Sequence, residues 1–123
     1  MLRRTYFHLL IVVSLAVSGV FMASCEQSTV PTATNISRTV PRIYPDYTHV
    51  TIPANIAPLR FKLCRPELYD AAVVAFYCRE LGDAPLIVEK ADGDGRFLFG
   101  EDDWHEMLSP LRGKQLEVVI FTR

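Results

Sequence analysis

The chain has 123 residues, enough for one ordinary domain and too few for two. Half of its residues are hydrophobic and 22% are charged, a globular balance rather than a disordered one. A formal net charge of −1 supplies no electrostatic case for nucleic acid or for an anionic surface.

The first segment is a targeting signal. Arg3 and Arg4 precede a stretch from Leu9 to Met22 that carries no charged side chain and is interrupted only by Ser14, Ser18 and Gly19. That stretch is short of the ~20 apolar residues a membrane-spanning helix needs. A basic start, a short apolar core and a small-residue exit make a secretory signal peptide. The exit, Met22-Ala23-Ser24-Cys25, resembles the lipobox of bacterial lipoproteins. The resemblance implies cleavage before Cys25, diacylglycerol on its sulfur and a further acyl chain, such as palmitate, on the new amino terminus. Two or more chains hold a protein stably on a bilayer. In the lipoprotein sorting rule an Asp after the lipidated cysteine retains the protein at the inner membrane, so Glu26 points to the outer membrane, on either face. Removing residues 1–24 leaves 99 residues and, with Arg3 and Arg4 gone, moves the formal charge from −1 to −3.

Residues 25–42 are expected to be a lipidated flexible tether, because Glu26 to Arg42 is rich in Ser, Thr and Pro without an apolar period. Residues 43–123 are expected to fold. Val50 to Pro53 is a short strand candidate. Leu59-Arg60-Phe61-Lys62-Leu63 alternates apolar and basic and is the cleanest half-buried strand. Ala71 to Arg79 reads as a strand with Val74, Phe76 and Cys78 on one face and Val73, Ala75 and Tyr77 on the other. Its β-branched and aromatic middle outweighs the alanines that favour a helix. Leu86–Lys90 and Arg96–Phe99 flank a Gly/Asp turn and read as a hairpin.

Glu101 to Leu108 is the one good helix signal. Asp103 is a capping candidate with Glu106 three residues later, and Trp104, Met107, Leu108 and Leu111 fall on one face. Pro110 and Gly113 limit it to about two turns. Gln115 to Thr122 is the last strand. No βαβ unit of ~30 residues appears, so an antiparallel arrangement is expected rather than a parallel α/β sheet. The expected fold is mainly β: a small antiparallel β-sandwich, Ig-like, with one short helix, after a signal peptide and linker. The last strand reaches Arg123 with no trailing loop, which reads as a first domain whose continuation is missing.

Few residues invite chemistry. Cys64 and Cys78 would lie in an oxidising compartment, but if their strands form a direct hairpin Cys64 falls near Ala71, far from Cys78; two free thiols are expected. Asp92-Gly93-Asp94-Gly95 has the opening of a calcium loop, yet Arg96 and Phe97 stand where a ligand and the glycine belong, so it is a turn. His105 lies among Asp102, Asp103 and Glu106 on a helix, where adjacent residues do not face each other. No Ser/His/Asp order, HExxH or phosphate loop is present. We therefore expect no catalytic residues, metal or cofactor. Tyr44, Tyr47 and Trp104 are candidate ligand contacts, since aromatic faces stack on sugar rings; the competing role is packing.

Tyr44-Pro45-Asp46-Tyr47, followed by Val50-Thr51-Ile52-Pro53, Asn55-Ile56-Ala57-Pro58-Leu59 and Phe61, resembles a recurring stretch in TolB-like β-propeller lipoproteins of anaerobic bacteria. Trp104 to Phe121 is similar to the next landmark of those proteins, a Trp-bearing short helix, a Gly-Lys turn and a Val-rich strand. The resemblance covers Arg42 to Arg123 and lacks the propeller. It implies an envelope region that precedes a repeat-built, ligand- or protein-binding propeller, and it implies no catalytic residues here. The expected function is a noncatalytic lipid-anchored scaffold or binding module of the cell envelope. Its expected partners are the membrane, through Cys25, and envelope proteins or glycans, with no nucleic acid. The alternatives are a carbohydrate-binding lipoprotein domain and the N-terminal fragment of a larger propeller protein.

Overall fold

A computed structural model of the chain describes residues 28–37 and 39–123. The signal segment and Cys25 lie outside the described residues. Residues 28–37 and 39–42 carry no regular secondary structure and are mostly exposed.

Six strands and one helix follow. They are β1 (Ile43–Tyr44), β2 (Phe61–Leu63), β3 (Ala72–Tyr77), β4 (Ile87–Lys90), β5 (Arg96–Phe97), α1 (Glu101–Leu108) and β6 (Glu117–Thr122). They form two three-stranded antiparallel sheets, ordered β1-β2-β5 and β4-β3-β6. The described residues are thus mainly β, a small sandwich with one short α-helix.

The alternation in the sequence sets which side chains fill the space between. From the first sheet, Phe61 and Leu63 of β2 and Phe97 of β5 turn inward, while Lys62 and Arg96 stay in water. From the second sheet, Val74 and Phe76 of β3 and the following Cys78 are almost wholly enclosed. Helix α1 adds Trp104, Met107 and Leu108, and the turn after it adds Leu111. Phe99 ties the three layers together. Its ring lies 6.0 Å from Phe61, 5.2 Å from Phe76 and 5.5 Å from Trp104. The contact with Phe76 is edge-on, at 84°, the arrangement that the ring quadrupoles favour.

Three expectations are corrected. Val50–Pro53 is not a strand; the first strand is Ile43–Tyr44. Pro53 and Pro58 lack the N–H a sheet interior needs, and this segment instead crosses the end of the sandwich. Asp103 does not cap α1. The cap position is Gly100, whose carbonyl accepts the Trp104 N–H at 3.0 Å, and Asp103 sits inside the first turn. There its charge, with Glu101 and Asp102, suits the positive end of the helix.

The third correction concerns the hairpin. The Asp92–Gly95 turn forms, closed by Asp92 N–H to Arg96 O at 2.9 Å and Gly95 N–H to Asp92 O at 3.0 Å. Its two strands nevertheless separate. Ala91 N–H donates to Ala72 O, keeping β4 on β3, while Leu63 N–H donates to Gly95 O, taking β5 to β2. The chain also changes sheets between β2 and β3, so these strands do not form a direct hairpin. Cys64 is exposed, Cys78 is buried, and both thiols are free.

Candidate functional site

An open cleft of about 1180 Å³ cuts into one end of the sandwich. One wall is the segment from Tyr47 to Ala54; the other is the chain from Leu111 to Val118. The core residues Leu59, Phe61, Phe76, Leu108 and Leu111 form an apolar floor, and Arg79, Glu80, Lys114 and Glu117 stand around the rim.

Each wall is fixed locally. The Asp46 carboxylate accepts both the Thr48 backbone N–H at 2.9 Å and the Thr48 hydroxyl at 2.7 Å. These two bonds, the backbone one first, stabilise the charged form and hold the Asp46 carboxyl below its ordinary titration range, so it stays an acceptor. His49 then takes a left-handed backbone, φ 55°, which turns the chain toward Ile52. Trp104 Nε1–H donates to Ile56 O at 3.1 Å, anchoring the far end of the wall to the core. On the opposite side, Lys114 N–H donates to Leu111 O at 2.9 Å, and Gly113 supplies the positive φ of the turn.

Arg79 clasps Glu117 through two bonds of 2.9 and 3.3 Å. Beside it, the Cys78 thiol donates to a Glu80 carboxylate oxygen at 3.1 Å. Burial, and then that carboxylate, push the Cys78 thiol up. It is therefore protonated at neutral pH, and a thiol is a poor nucleophile in that form.

The candidate aromatics are not brought to one surface. Trp104 is 0% exposed and offers no face to a ligand. It sits on the apolar stripe of α1, and its one polar atom is already satisfied. Tyr47 is half-buried, edge-on to Phe61, and lines the cleft. Tyr44 is 66% exposed and is not among the residues lining the cleft.

His105 lies 3.9 Å from Glu101, one turn away, and Asp92 Oδ1 is occupied by the Asp94 and Arg96 N–H groups at 2.9 Å each. Among the described residues no three His, Cys, Asp or Glu side chains converge as a metal site, and no helix is long and apolar enough to cross a membrane. The sequence offers Val50 and Ile52 only as strand residues and Lys114 only within a Gly-Lys turn, and none of them as lining a cleft. Their only signal is a run of turn formers and prolines between apolar positions. Comparison with protein-family models, curated proteins and solved structures finds no match to this chain.

Proposed function

We propose that this protein is a noncatalytic, lipid-anchored component of the cell envelope, held at the outer membrane through Cys25, whose folded part serves as a scaffold or binding module. The sequence Met22-Ala23-Ser24-Cys25, placed directly after the charge-free Leu9–Met22 run, carries this proposal. The form of the molecule supports it: residues 28–37 and 39–42, mostly exposed and without regular elements, precede a small domain with an open cleft of apolar floor and mixed-charge rim. Such a surface suits recognition by shape and apolar contact with a few polar fixings. The resemblance to the region preceding the propeller in TolB-like lipoproteins points the same way.

The test is membrane fractionation of Cys25→Ala beside the parent chain, with mass measurement of the mature amino terminus. Parent protein in the membrane fraction, carrying acyl mass on Cys25, and loss of most of it to the soluble fraction in the variant are expected. Equal membrane retention of the variant, or an unmodified amino terminus, overturns the proposal.

A further inference from the structure

Among the described residues the second sheet has two unpaired edges, and they differ. The edge of β4 is four residues long, ends in Glu89-Lys90 and follows Pro85, all devices that discourage strand addition. The edge of β6 is six residues, Glu117–Thr122, with no Lys, Pro or bulge; Val118 on it is 45% exposed.

The groups that point outward follow from the ladder. Arg123 and Ala71 exchange both backbone hydrogen bonds, at 2.9 and 3.3 Å. By the alternation of an antiparallel pair, the registered pairs Val73–Phe121, Ala75–Val119 and Tyr77–Glu117 do the same. Val118, Ile120 and Thr122 therefore turn their N–H and C=O groups away from β3. Among the described residues these six groups have no backbone partner.

We propose that β6 is a self-recognition edge, through which two copies of this chain pair antiparallel about Ile120 and join their sheets into one of six strands. The sequence around Ile120 is complementary to its own reverse. In that register Ile120 faces itself and Val118 faces Thr122 of the partner subunit, so all six outward groups on each strand are hydrogen-bonded. At the non-hydrogen-bonded positions, where side chains approach most closely, Val119 meets Phe121 of the partner subunit, a favourable β-branched–aromatic pair. Glu117, clasped on its own chain by Arg79, meets Arg123 of the partner subunit as a second cation, and the two-fold axis repeats that contact at the other end. The shift that centres the pairing on Val119 instead places Glu117 against an apolar ring.

The test is sedimentation velocity of the full chain in a mild detergent across a range of concentrations, with folding of each variant checked by circular dichroism. The anchor is common to every variant, so differences report the strand. The parent chain is expected to reach a dimer. Arg123→Glu sets acids opposite one another twice and raises the dissociation constant about tenfold; adding Glu117→Arg restores association. Val118→Pro removes an outward donor at a position where an edge strand tolerates proline, and abolishes the dimer. A parent chain that stays monomeric, or a dimer that both variants leave unchanged, overturns the proposal. A charge swap that fails to restore association overturns the register about Ile120.

Discussion

Gly95 shows how much can rest on one missing methyl group. Its φ is +75°, and a Cβ added there would lie 2.6 Å from Cβ of Pro66, closer than atoms pack. Positive φ alone costs a non-glycine residue about 1–2 kcal/mol, and the clash adds overpacking of similar size. Gly95→Ala should therefore destabilise the domain by about 2 kcal/mol or more in urea unfolding. Gly93→Ala, two residues away with open space around it, should change stability by under about 0.5 kcal/mol. Glu89 makes a second residue-scale case. Registered opposite Val74, it shares the core-facing side of its sheet. Burial raises its carboxyl above the ordinary 4.5, against donation from the Lys90 backbone and with help from Asp103. A raised acid stabilises the fold fully only below its unfolded value, and that contribution is lost as pH rises through the folded value. Glu89→Gln should thus raise the melting temperature at pH 7, with the difference vanishing below about pH 4.

At the scale of elements, β2 and β5 carry a cost on their solvent side. Lys62 and Arg96 lie directly opposite in the register, and like charges so placed repel. Asp94, 3.2 Å from the Arg96 guanidinium, offsets this only in part, as exposed ion pairs do. Lys62→Glu should stabilise the domain by about 0.2–1 kcal/mol, and the gain should fade in high salt. The alternation that exposes Lys62 also buries Phe61 and Leu63, so this strand was legible from period two alone. Helix α1 was legible through the spacing of Trp104, Met107, Leu108 and Leu111, all buried as expected. Its cap was not, because Gly100 offers no side chain to read and three consecutive acids each resemble a cap.

For the whole molecule, the class was readable and the connectivity was not. β3 is apolar on both faces, and Val73, Ala75, Val119 and Phe121 share the side away from the core, so composition places the strand in a sheet without saying what lies on either side. The Asp92–Gly95 turn looks the same whether its strands pair with each other or part. What separates them is the long-range hold of Ala72 on Ala91 and of Gly95 on Leu63, which no local pattern encodes. The cleft was invisible for the same reason, since its walls come from segments some sixty residues apart. That parting of strands governs how the protein folds. One sheet draws on residues 43–44, 61–63 and 96–97, the other on 72–77, 87–90 and 117–122. The sheets are interleaved along the chain, so no cut yields a fragment holding either one complete with its facing layer. Loop closure must precede the rewarding contacts, so urea unfolding should show one transition, coincident by fluorescence and circular dichroism.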